Sequence, residues 1–249
     1  ELGEFDRAAE FFRKVIDSFP SDPIAQDANF KILECLYNLK DYEKLRKEIQ
    51  AYRKNYPEDT TYLSHIHFLL AESNYYLGDY NEAIKQYQTA INKSSNGKIT
   101  ALSQLGLAWC CLRMKNYEEA QKLLDSVNRE DLTEEGQEGL LLAKANLFSE
   151  IQNFQSALEA WTELQEISTE PRTKTQAYLG KADALYNLGQ YPEAIAVYQE
   201  AQNIASNLPA QLLDKLHYGL AWAYLKDGQF RQAIDEFQRT ASFASDEII

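Results

Sequence analysis

Apolar residues recur along the whole chain at helical rather than strand spacing, in blocks of nearly constant length. An aromatic residue stands at positions 5, 42, 80, 117, 154, 191 and 230, separated by 37, 38, 37, 37, 37 and 39 residues. Three residues after each ring comes Ala8, Leu45, Ala83, Ala120, Ala157, Ala194 or Ala233. Seven after it comes Phe12, Ile49, Tyr87, Leu124, Trp161, Tyr198 or Phe237. Offsets of three, four and seven share one face of an α-helix. Each ring therefore opens a helix whose buried stripe reads ring, small residue, large apolar residue. A small residue at a crossing lets two backbones approach, and the larger residue four positions on fills the groove beside it.

The polar punctuation agrees. Gly78, Gly189 and Gly228 stand two residues before a ring, where a left-handed conformation ends one helix and reverses the chain. The pattern predicts a lone helix over 1–19. It then predicts pairs at 27–39 with 42–55, 61–77 with 80–92, 100–114 with 117–127, 137–150 with 154–167, 175–188 with 191–206, and 210–227 with 230–243. No stretch reads as a strand. Asp22 before Pro23 offers a capping side chain with proline in the first turn, and Thr173 with Gln176 fits a capping box. Residues 129–135 read as an acidic, solvated connection with a helix start at Thr133. Leu45, in place of the small residue, predicts a looser or shifted crossing. A period in this range marks a stack of identical supersecondary units.

These residues resemble the tetratricopeptide repeat, Gly-x-Tyr-x-x-Ala-x-x-x-Tyr/Phe, followed by a small residue, as at Ala90 and Ala201, and a proline, as at Pro20 and Pro57. The resemblance covers nearly the whole chain and is similar to long-period bacterial members of the family. It implies an all-α fold: a right-handed superhelical solenoid of antiparallel helix pairs. The period exceeds the usual one by about three residues, the proline is missing from later copies, and the first-helix glycine is read as replaced by Ala71, Ala108, Ala145, Ala182 and Ala221. One array over 1–249 is expected. It begins with the second helix of a truncated repeat (1–20) and continues with repeats at 24–57, 61–95, 99–132, 133–169, 173–206 and 210–245. A start on a second helix, and an end without a polar covering helix, predict a piece of a longer protein.

Charge narrows the partners. The 249 residues carry 25 Lys and Arg against 38 Asp and Glu, a net charge of −13, which repels phosphate backbones and argues against nucleic-acid binding. Residues 1–56 are nearly balanced, so the excess lies later and points to a basic partner. No apolar run approaches membrane-spanning length.

Candidate chemistry is sparse. His65 and His67 fall on different faces of one helix and His217 lies four repeats away, so they cannot share a metal. Cys35, Cys110 and Cys111 read as small packing residues, with no disulfide between them. No phosphate loop, nucleophile elbow or metal-binding helix motif is present. Neither catalysis nor a cofactor or metal is expected.

What remains is surface. In the family the resemblance points to, first helices line a concave groove, which in this sequence implicates Phe30, Tyr37, Phe68, Glu72, Tyr75, Tyr76, Trp109, Arg113, Asn146, Asp183, Tyr186, Asn187, Tyr218 and Trp222. Tyr and Trp supply large contact area at small entropic cost, and Trp109, Tyr75, Tyr76 and Trp222 are the expected anchors. The expected ligand is a protein or peptide segment carrying basic and apolar residues. The Lys/Asn/Lys/Arg clamp of relatives that bind chaperone tails is absent, which disfavours that function. Two alternatives stand beside the interaction scaffold: a regulatory or recruiting domain of a larger enzyme, and a scaffold self-associating through uncovered end repeats. Residues 19–25 with Ala28 resemble bacterial cell-envelope members, which puts the expected location in the periplasm or envelope. Three unpaired cysteines fit the cytoplasm as the alternative.

Overall fold

The computed structural model describes residues 2–204 and 210–246. Among these the chain forms thirteen α-helices and no strand: α1 (Leu2–Ser18), α2 (Pro23–Asn38), α3 (Tyr42–Asn55), α4 (Leu63–Tyr76), α5 (Tyr80–Lys93), α6 (Gly97–Arg113), α7 (Tyr117–Ser126), α8 (Glu134–Glu150), α9 (Phe154–Ile167), α10 (Pro171–Asn187), α11 (Tyr191–Ile204), α12 (Ala210–Lys226) and α13 (Phe230–Asp246). They group into two compact units, Glu1–Thr133 and Glu134–Ile249. Within each unit consecutive helices pack side by side. The expected ends of the second helix of repeat 6, at 206, and of repeat 7, at 245, fall respectively outside and inside the described residues.

Every hairpin reverses through the same turn. After α2, the Asp41 N–H donates to Leu36 C=O at 3.1 Å and the Lys40 N–H to Tyr37 C=O at 3.0 Å. This pair of bonds satisfies the carbonyls that a helix end leaves open. The pattern repeats in the five other turns that precede a ring. It requires a left-handed residue, supplied by Gly78, Gly189 and Gly228 at φ 84°, 78° and 80°. The remaining turns force Lys40, Lys115 and Gln152 to φ 58°, 60° and 58°, where a Cβ is strained by roughly 1–2 kcal/mol. Asp41, Asp79 and Asn153 then cap the next helix by accepting from Lys44, Glu82 and Ser156 N–H groups at 3.2–3.3 Å.

Where starts differ from expectation, a cap lies further upstream. Helix α10 begins at Pro171, because Glu170 accepts the Thr173 N–H at 2.5 Å and proline occupies the first position. Thr173 is thus a recipient of the cap and not its source. Helix α6 begins at Gly97 behind an Asn96 cap. Residues Arg129–Asp131 wind into one short 3-10 turn that buries Leu132, and α8 starts at Glu134.

The small residues of the second helices are sealed: Ala83, Ala120, Ala157 and Ala194 are 0 % exposed. The alanines read in place of the first-helix glycine, Ala71, Ala108, Ala145, Ala182 and Ala221, are equally sealed at 0 % exposed. Three first helices add a glycine notch two residues before the alanine, at Gly106, Gly180 and Gly219, and the ring of the preceding second helix lies on it. A Cβ at Gly106 would stand 2.5 Å from the Tyr87 hydroxyl, one at Gly180 2.7 Å from Cζ2 of Trp161, and one at Gly219 2.6 Å from Cζ of Tyr198. Alanines 108, 182 and 221 are packing residues on the neighbouring face, all 0 % exposed. Leu45 is fully buried, and α2 and α3 touch along fewer positions than any other hairpin.

Candidate protein-interaction surfaces

Register fixes which first-helix residues look outward. The same place is held by Glu34, Glu72 and Trp109 in the first unit and by Asn146, Asp183 and Trp222 in the second. One helical turn later come Asn38, Tyr76 and Arg113, then Glu150, Asn187 and Lys226.

In the first unit this face is largely spoken for. Phe30 stacks on Tyr62 at 4.0 Å and is 2 % exposed; Phe68 is 6 % exposed and meets Tyr37 edge-on and Tyr87 at a tilt. Both are core residues and offer no surface to a partner. Glu72 accepts hydrogen bonds from Tyr37, at 3.1 Å, and from Tyr87. Burial pushes its carboxyl above the usual carboxylate range, against the opposing pull of the two hydroxyls. The same burial, with Glu72 alongside, pushes the Tyr37 and Tyr87 phenols well up. The outward residues are aromatic: Tyr76 is exposed and stacks on Tyr42 at 4.3 Å, while Tyr75 packs against Tyr76 and Tyr80 and accepts from Arg113 Nε at 3.4 Å. Trp109 is half-buried.

The second unit is more open. A cavity of about 560 Å³ runs along α8, α10 and α12, bounded by Asn146, Trp161, Arg172, Gln176, Asp183, Asn187 and Lys215 among others. A second, of about 400 Å³, lies between α10 and α12, bounded by Asp183, Tyr186, Asn187, Tyr198, Tyr218, Gly219, Trp222 and Lys226. Asp183 borders both. Its carboxylate accepts from the Tyr198 hydroxyl, as Glu72 does from Tyr87. Trp161 Nε1 instead donates to Ser149 Oγ at 3.2 Å. The Asn146 and Asn187 amides are turned back onto the carbonyls of Leu142 and Asp183, each at 2.7 Å.

The structure thus gathers Asn146, Asp183, Tyr186, Asn187, Tyr218 and Trp222 around adjoining cavities. Sequence reasoning missed their neighbours Arg172, Gln176 and Lys215, which lie two or three turns before Asp183 and Trp222 on α10 and α12, and read Tyr198 on α11 only as a packing residue. His67 is tied to Gln86 at 2.7 Å and His217 to Glu236 at 2.6 Å, at equivalent places on α4 and α12. Cys35, Cys110 and Cys111 are free and buried. Among the described residues no three metal-ligating side chains converge, and no helix is long and apolar enough to cross a membrane.

Repeated hairpins, left-handed turn residues and small residues sealed between helices are one unit copied along the chain, and a family match decides what that unit is. Residues 28–177 match the tetratricopeptide repeat-like domain and residues 174–246 the tetratricopeptide repeat. The chain belongs to the tetratricopeptide repeat family. Among similar solved structures, a tetratricopeptide repeat protein from Parabacteroides merdae is 17% identical, with TM-score 0.60 over 97% of this chain and 87% of its own. The C-terminal part of a repeat protein from Cytophaga hutchinsonii is 15% identical, with TM-score 0.66 over 96% and 90%. YrrB, described as a TPR protein with an unusual peptide-binding site, is 16% identical, with TM-score 0.61 over 80% and 94%. At such identities the likeness is one of fold. No curated protein matches the chain. A tetratricopeptide array is in general a protein-interaction scaffold.

Proposed function

We propose that this tetratricopeptide protein is a non-catalytic scaffold that takes a segment of a partner protein along its first-helix faces, within a larger protein or assembly. The observation that carries the reading is the open face of the second unit, where two adjoining cavities share Asp183 and the smaller is walled by the exposed rings of Tyr218 and Trp222. Large rings held at a concave surface are the usual anchors of peptide recognition. The peptide-binding site ascribed to YrrB supports the same use of the fold. Residues 134–249 carry eight basic and seventeen acidic side chains, a net charge of −9. That field favours a segment rich in basic and apolar residues.

Affinity capture with the purified chain, followed by mass spectrometry and direct titration of the recovered segment, tests this. Trp222→Ala and Trp109→Ala should each weaken the titrated complex while far-ultraviolet circular dichroism stays unchanged. A partner that binds both variants as tightly as the parent would sink the groove reading.

A further inference from the structure

The smaller cavity of the second unit has a composition that names its occupant. Its floor is the Asp183 carboxylate, which accepts one hydrogen bond from Tyr198 and has no ion pair among the described residues. Its walls are rings: Trp222 and Tyr218 meet edge to face at 6.1 Å, and both lean on Phe237, at 5.6 and 6.2 Å. Three mutually supported rings are fixed in place before any ligand arrives. Tyr218 is nonetheless 52 % exposed and Trp222 36 %, so their open faces point to solvent and not to core.

A carboxylate beneath aromatic faces is the arrangement that holds an organic cation. The carboxylate supplies charge, the ring faces supply a negative quadrupole, and both gain strength as water leaves. We propose that this cavity is a socket for one arginine or lysine side chain of the partner segment, its alkyl stem along Tyr218 and Trp222 and its charged head on Asp183. The proposal rests on the groove reading above and deepens it to one side chain. At about 400 Å³ the space suits a long side chain. Packing around Asp183 pushes its carboxyl above the usual range, against the pull of Tyr198 and Lys215. A bound cation relieves that cost. Lys226 stands exposed on the border of the cavity, and neither it nor Lys215 closes an ion pair with Asp183.

Titration of the full chain with acetylated, amidated Leu-Arg-Leu, Leu-citrulline-Leu and Leu-Glu-Leu peptides, read at the Trp222 indole N–H by NMR, tests the socket. Citrulline keeps the shape of arginine and removes its charge. The arginine peptide should bind about tenfold or more tightly than either other peptide. Asp183→Asn, whose amide oxygen can still accept the Tyr198 hydroxyl, should erase that preference while leaving helicity intact. Equal binding of the arginine and citrulline peptides at Trp222 overturns the socket and leaves the groove reading standing. If the glutamate peptide wins, the site takes anions and the proposal fails. Should no peptide move the indole signals or the Asn146 and Asp183 amides, the socket falls and the groove reading with it.

Discussion

Replacing Gly106 with alanine tests the seating of a second-helix ring on the glycine of the next first helix, a contact repeated at Gly180 and Gly219. In an ordinary helix the change stabilises by about 1 kcal/mol, because alanine loses less backbone freedom. Here the new Cβ would sit 2.5 Å from Cε1 and from the hydroxyl of Tyr87. That ring is 0 % exposed and its hydroxyl is held by Glu72, so it has no free path of retreat. Overpacking costs roughly 1–3 kcal/mol, and a contact this short with a pinned ring belongs at the upper end. Subtracting the propensity gain leaves a net loss of about 2 kcal/mol. For a chain of this size that lowers the thermal midpoint by about 4–8 °C, measurable by circular dichroism at 222 nm. The decisive measurement is the cycle with Tyr87→Leu. Leucine removes the atoms that clash, so Gly106→Ala should instead stabilise by about 1 kcal/mol in that background, giving a coupling energy of about 3 kcal/mol. If Gly106→Ala stabilises the parent, or the two changes simply add, the ring does not occupy the notch and the reasoning is wrong.

Other outcomes follow from the same geometry. Lys40→Gly, Lys115→Gly and Gln152→Gly should each stabilise by about 0.5–1 kcal/mol, the left-handed strain relieved less the entropy glycine loses on folding; a loss of thermal midpoint in all three would contradict the turn assignment. Glu72 is held protonated more readily in the fold than in the unfolded chain, so its ionisation penalises the fold above the raised pKa and not below the ordinary carboxylate range. Glu72→Gln keeps a hydrogen-bonding side chain there, so it should raise the midpoint at neutral pH by more than it does near pH 4 (a difference that denaturation at the two pH values would reveal, and whose absence would refute it). Binding of the Leu-Arg-Leu peptide should be strongest above the raised Asp183 pKa and weaken as pH falls through it, and the dependence should vanish in Asp183→Asn.

The repeat itself was legible because its signal is redundant. Seven rings at even spacing, with a small residue three on and a large one seven on, can be satisfied by few architectures, and α3 and α9 fall at the residues the pattern gives. Helix starts were less legible wherever the cap was unconventional. Glu170 is not among the preferred capping residues, yet with Pro171 behind it the carboxylate reaches the Thr173 N–H and adds a turn to α10. The outward face was hardest to read, for a reason peculiar to stacked helices: one first helix meets its own hairpin partner, the preceding second helix and the solvent within a single turn. Phe30 and Tyr218 occupy equivalent places, but Tyr62 covers Phe30 while Tyr218 remains half open. Spacing fixes the direction in which a side chain leaves its helix, and only the neighbour decides whether anything covers it. Glycine carries the missing information. Tyr87 and Tyr198 each reach a first-helix carboxylate, and each lies on a glycine of the following first helix, Gly106 or Gly219. An acid, a tyrosine fifteen residues on and a glycine about twenty further therefore mark, in sequence, where the floor of such a surface is polar.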